Sequence, residues 1–282
     1  MYMNNSYLSL LIFIIVTAVY FIVLKKPILT FDILQNDADY LSYQKGMYSK
    51  LIIYFFLVVL TQFGVNVGAI ISTCGGNVGQ SVGAAALITF IPWIFVFGVI
   101  IIVLIAFPGW KAAFSNVVGY FVVSRQANNI LTDLLVVTEV NGDIEKAAGG
   151  DLQKKDALQE AASAIIKLTG NMSLLINQIV PDNFKTYWNI LTPLMKQDLP
   201  PERISELQQR LLNIVVLRDN IGEAMWYVYT AILLTSIVQY KIATQGCQPD
   251  LATLNANQAV FQKQQKETQQ ANEASTSTVY AL

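Results

Sequence analysis

Between Lys50 and Lys111 the chain carries no charged residue. A water-exposed domain does not leave such a length of backbone without Asp, Glu, Lys or Arg, because charged side chains cover the surface of any soluble fold. Residues 51–110 therefore belong in lipid. The run divides at a small-residue centre, Cys74-Gly75-Gly76-Asn77-Val78-Gly79-Gln80-Ser81-Val82-Gly83. On either side, residues 51–73 and 86–107 are apolar stretches of about 20 residues, each enough to cross roughly 30 Å of hydrocarbon as a helix. The pattern predicts a transmembrane hairpin turned by a glycine-rich loop at 74–85.

The rest of the composition agrees. Hydrophobic residues make up 54% and charged residues 13%, the balance of an integral membrane protein that also carries a polar part. The net charge of −1 comes with no basic stripe, so no nucleic-acid partner is expected. Histidine is absent, which removes imidazole general bases, Ser-His-Asp triads and His-ligated metals together. Gly79-Gln80-Ser81-Val82-Gly83 spells a G-x-S-x-G nucleophile elbow, but that motif needs a histidine to take the serine proton. No Lys follows these glycines as a phosphate loop would require, and a tight turn is the better reading. No catalytic residue, cofactor or metal is expected, and the chain reads as a non-enzyme.

Taken in order, residues 7–24 form a further uncharged apolar segment, followed by Lys25 and Lys26. A cleaved leader would put positive charge before its apolar core and a small-residue site after it, so the segment reads as a retained first span. Residues 25–50 read as a short loop whose Lys25, Lys26, Lys45 and Lys50 place it in the cytosol by the positive-inside rule, with the N-terminus and Cys74 on the other side. Residues 124–222 mix both charge signs and carry apolar residues at helical spacing, as in Ala157, Leu158, Ala161, Ala162, Ile165 and Leu168. Further helices are expected at 126–140, 172–179 and 184–196, with another starting at Pro200 and Pro201. This last helix runs into residues 223–241, either a short fourth span entered through Trp226, Tyr227 and Tyr229 at the headgroup level, with Glu223 and Lys241 snorkelling out or the bilayer thinned around them, or a buried amphipathic core helix. Residues 242–282 read as a polar flexible tail. The expected fold is all-α, a polytopic membrane protein with about four transmembrane helices and a helical soluble domain inserted between the third and fourth.

Several residues stand out. Four crossings bring Cys74 and Cys247 to one non-cytosolic face, where they are either a disulfide or two unrelated thiols. Gly64 and Gly68 form a G-x-x-x-G pair that packs helices within the protein or between copies, a homo-oligomer in the second case. Asn66 and Gln62 lie near that face and call for partners on other helices; a pore lining is the sharper alternative, though no ionisable residue marks a path through any span. The segment 108–123 follows the third span, with Pro108 and Gly109 ending the helix. Trp110 and Lys111 suit the interface, and Phe114, Val117, Val118, Phe121 and Val122 lay an apolar face along the membrane.

The residues Phe107, Pro108, Gly109, Trp110, Phe114, Ser115, Asn116, Gly119 and Tyr120 in that segment resemble a Phe-Pro-Gly-Trp…Phe-Ser-Asn…Gly-Tyr stretch in multi-span membrane proteins of large icosahedral DNA viruses, such as those of algae. The resemblance is close over Phe107 to Phe121 and loose in the order of the spans. It implies a structural minor capsid component in the virion's internal membrane, made in host endoplasmic-reticulum-derived membrane. Its partners would be the lipid bilayer and the capsid or other minor capsid proteins, with the helical domain anchoring shell to membrane. A small channel or transporter and, less readily, a fusion or entry component are the alternative readings of the residues.

Overall fold

The computed structural model describes residues 5–74, 78–135, 172–244 and 251–277. Among these every regular element is helical, and an isolated antiparallel bridge joins Leu135 to Met195. Helix α1 (Asn5–Val19) widens into a π turn at Tyr20–Leu24 and stops where Lys25 takes φ 43°. The short α2 (Phe31–Gln35) is capped by Thr30, whose hydroxyl accepts from the Ile33 N–H at 3.4 Å. Helix α3 runs from Asp37 to Cys74. Helix α4 (Val78–Pro92), a π turn at Trp93–Phe97 and α5 (Gly98–Ala106) form the next rod. Pro92 explains the wide turn: it has no N–H to give and its ring displaces a carbonyl in the preceding turn, so the ladder reopens at longer spacing.

A 3-10 turn at Pro108–Lys111, α6 (Ala112–Phe114) and a π turn at Ser115–Gly119 lead into α7 (Tyr120–Leu134). Then come α8 (Met172–Gln178), α9 (Phe184–Leu191), α10 (Pro201–Thr244) and α11 (Leu251–Ser277). Among the described residues, four helical stretches are long and apolar enough to cross a membrane: Tyr7–Leu24, Asp37–Thr73, Ser81–Ala106 and Pro201–Thr244.

The buried residues fall into two clusters. The first lies among the apolar helices and is strongly aromatic. Tyr20 stacks on Tyr54 at 4.4 Å between ring centres, Phe97 meets Phe13 edge-on at 5.7 Å, and Tyr227 closes on Phe97 at 5.5 Å. The outside of these helices is lined with large exposed apolar groups, among them Ile52, Phe56, Leu60, Phe95, Ile102 and Ile237. A rim of that kind fits a hydrocarbon surround and would be a liability in water. The second cluster gathers α7, α8, α9 and the N-terminal half of α10 around Ile130, Leu134, Ile179, Phe184, Leu191 and Leu211.

Several expectations need correction. Residues 25–50 are more than a loop: Leu29 is buried in the second cluster, and Phe31, Ile33, Leu34, Tyr40 and Tyr43 pack against it. The second and fourth apolar stretches extend well beyond 51–73 and 223–241 because α3 and α10 continue unbroken on the polar side. The loop at 74–85 is helical from Val78, since apolar surroundings force a backbone, even a glycine-rich one, to hydrogen-bond to itself. Residues 251–277 of the expected flexible tail form α11, exposed along its middle. Cys247, the side chain of Cys74 and the helix expected around Asp156 to Leu168 lie outside the described residues.

Candidate functional site: a buried ion-pair seam

The two hydrophobic clusters are separated by a thin polar seam. Helix α10 builds one side of it, because Asp219, Glu223 and Tyr227 recur every four residues and so share a face. Lys26 arrives from the end of the first apolar helix and Lys111 from the 3-10 turn after the third. Lys26 Nζ donates to Glu223 Oε2 and to Asn220 Oδ1, both at 2.8 Å. Lys111 Nζ donates to Asp219 Oδ2 at 2.9 Å and lies 3.2 Å from Glu223 Oε2. The Tyr227 hydroxyl donates to Glu223 Oε1 at 3.0 Å, so both carboxylate oxygens of Glu223 are engaged.

The seam groups are largely buried, with side-chain exposures of 9% for Lys26, 6% for Glu223 and 13% for Lys111. Burial alone would push the Lys111 amine down, but the Glu223 and Asp219 carboxylates overturn that and hold its pKa above the ordinary lysine value. Lys26 is more deeply enclosed; its pKa falls despite the opposing pull of Glu223. Two cations against two carboxylates leave the four groups neutral as a set, the condition under which buried charge is tolerated.

Close backbone contact brings the post-span segment onto α10. A Cβ on Gly119 would stand 2.6 Å from the Arg218 carbonyl oxygen, and one on Gly222 would stand 2.7 Å from Ser115 Cβ and 2.8 Å from the Lys111 carbonyl oxygen. Ser115 and Gly119, four apart on the π turn, are therefore a small-residue face seated against α10, Ser115 on Gly222 and Gly119 on the Arg218 backbone. Trp226 Nε1 donates to the Trp110 carbonyl at 2.9 Å, and Phe114 meets the Trp226 ring edge-on at 5.1 Å. Arg218, wholly buried, donates to the carbonyls of Ile176 and, at 2.7 Å, Ile179. It thus ties the end of α8, where helix carbonyls lack partners, to α10.

The expected interfacial residues divide accordingly. Phe107, Trp110, Val117, Phe121 and Val122 are exposed. Gly119 faces α10, Tyr120 packs on the second cluster, and the Asn116 carbonyl accepts from Asn177 Nδ2 at 3.3 Å. Pro108 and Gly109 line a cavity of about 180 Å³ beside the seam, together with Tyr20, Tyr43 and Leu104. Asn66 is a helix-packing residue: its Nδ2 donates to Thr89 Oγ1 at 2.9 Å and its Oδ1 accepts from Gln239 Nε2 at 3.2 Å, joining three helices. Gln62 and Ser9 exchange two hydrogen bonds, of 2.6 and 3.0 Å. Gly64 and Gly68 behave otherwise, with nothing within 4 Å of a Cβ at either; within one chain they are not a packing face.

The seam itself was not apparent in the sequence. Lys26 served only as a topology marker, and Glu223, expected to snorkel to solvent, is instead buried and paired. The signal that points to it is the four-residue recurrence of Asp219, Glu223 and Tyr227 at the mouth of an apolar run. Comparisons with known protein families, curated proteins and solved structures find no match for this chain.

Proposed function

We propose that the protein is a structural membrane component, an anchor that fixes a helical module at a set height above a bilayer. The observation that carries this reading is the continuity of α10, which gives Leu207, Leu211 and Val215 to one core and Tyr227, Leu234 and Val238 to the other. Its 44 residues correspond to about 66 Å of helix, roughly twice the thickness of the hydrocarbon layer. Half the rod therefore stands clear of lipid, carrying the module. The ion-pair seam resists sliding of the first and third apolar helices along it. The polar groups inside the bundle, Gln62, Asn66 and Thr89, are wholly buried and hydrogen-bonded to one another or to neighbouring helices, which favours a rigid frame over a conduit.

The likeness of Phe107 to Phe121 to a segment of viral membrane proteins supports a virion as the setting, with the helical module directed at the capsid shell and the spans in the internal membrane. Particles stripped of their shell by salt or mild detergent should keep the protein in the lipid fraction, resistant to alkaline carbonate. Recovery with soluble core proteins would overturn the assignment. In intact particles, amine cross-linking from the exposed Lys185 on α9 should reach a shell protein.

A further inference from the structure

We propose that the cavity beside the ion-pair seam holds the headgroup of a zwitterionic phospholipid, phosphatidylcholine or phosphatidylethanolamine, taken from the surrounding bilayer. The inference rests on the membrane-anchor reading only in placing the four apolar helices in lipid. At about 180 Å³ the cavity has room for roughly six water molecules, or for a phosphate and an amine joined by two carbons. Its walls change character along its depth: Leu51 and Leu104 come from apolar helices, while Lys26, Lys111, Asp219 and Glu223 come from the seam. Ile105, Pro108 and Gly109 line it too and are exposed on the outside of the protein. The mouth therefore opens sideways where the third apolar helix ends, the level at which lipid headgroups lie.

The chemistry of the lining calls for both signs of charge in one ligand. Tyr20 is wholly buried, lines the cavity, and its hydroxyl has no hydrogen-bond partner. Of the three N–H groups of Lys111, two are accounted for by Asp219 and Glu223. These two uncommitted donors fit phosphate oxygens. Elsewhere in the wall stand Asp182, whose Oδ1 accepts from the Tyr40 hydroxyl at 2.8 Å, and the stacked rings of Tyr40 and Tyr43, 6.1 Å apart and 14° from parallel. Ring faces beside a carboxylate attract an ammonium or a quaternary amine. A bare anion would meet three carboxylates, Asp182, Asp219 and Glu223, against two lysines. A bare cation would leave the Tyr20 and Lys111 donors without an acceptor. A headgroup carrying phosphate and amine together answers both.

The test uses the full-length protein in a detergent that contains no phosphate, titrated with short-chain phosphatidylcholine, short-chain phosphatidylglycerol or water-soluble glycerophosphocholine while thermal unfolding is followed. Phosphatidylcholine should raise the midpoint saturably and phosphatidylglycerol should not. Tyr20→Phe, which keeps the ring stacked on Tyr54, and Asp182→Asn should each weaken the apparent affinity about tenfold. Equal stabilisation by both lipids, or unchanged affinity in both variants, overturns the proposal. If glycerophosphocholine binds as tightly as the lipid, entry from the bilayer is overturned. Carbonate extraction of the membranes before solubilisation separates the two readings: a protein that stays with the membranes but shows no preference for phosphatidylcholine keeps the anchor and overturns the pocket, whereas one that is stripped overturns the placement in lipid on which both rest.

Discussion

Glu223 is buried and engages three side chains, and removal of one partner from a buried ion network costs more than the network contributes as a whole. Glu223→Gln should therefore lower unfolding stability by about 3–5 kcal/mol, read from denaturant or thermal unfolding in detergent, and adding Lys26→Met should recover part of the loss. Lys26, whose pKa is lowered, gives up its proton before Lys111, so Lys111 sets only the alkaline limit of its own pairings. Its folded pKa lies above the usual 10.5, so the stabilisation is complete below that value and fades only as the solution becomes strongly alkaline. The glycines give a sharper contrast. Gly119→Ala and Gly222→Ala must push apart backbone already in contact and should each cost about 1–3 kcal/mol, whereas Gly64→Ala enters open space and should change the unfolding midpoint little. Equal effects at all three sites would contradict the packing described. The G-x-x-x-G spelling at Gly64 and Gly68 does not mark a packing face within the chain, because spacing shows that two small residues share a face and says nothing about what crosses it. Ser115 and Gly119 have the same spacing, and what lies against them is Gly222 for the first and the Arg218 backbone for the second, far away in the chain.

Among the elements, the apolar helices were legible because lipid imposes one strict rule, the exclusion of charge, which a single sequence displays openly. Their polar extensions were less so. Nothing in the composition of residues 37–50 separates a solvated loop from the first turns of α3, and their helical state follows from Tyr40 and Tyr43 packing on a core made by distant residues. The three-helix junction at Asn66 was half visible: a polar residue in an apolar run demands a partner, but Thr89 and Gln239 are identified only in the folded chain. Asn66→Leu removes both hydrogen bonds without removing volume. It should cost about 0.6–1.7 kcal/mol, measured by unfolding in detergent, and should leave membrane insertion intact. Loss of insertion would mean that Asn66 does more than join helices.

At the scale of the whole molecule, the two cores are one mechanical object, since α3 and α10 take part in both and the seam lies where they meet. The seam also joins residues far apart in synthesis. Lys26 is 197 positions from Glu223, and Lys111 is 108 from Asp219. During translation the first three hydrophobic segments are made with two ammonium groups still unmatched, held in waiting until α10 emerges. A ribosome-bound nascent chain ending before Pro201 would thus be a loose, protease-sensitive collection of hairpins, and the fourth apolar helix is the one that locks the assembly.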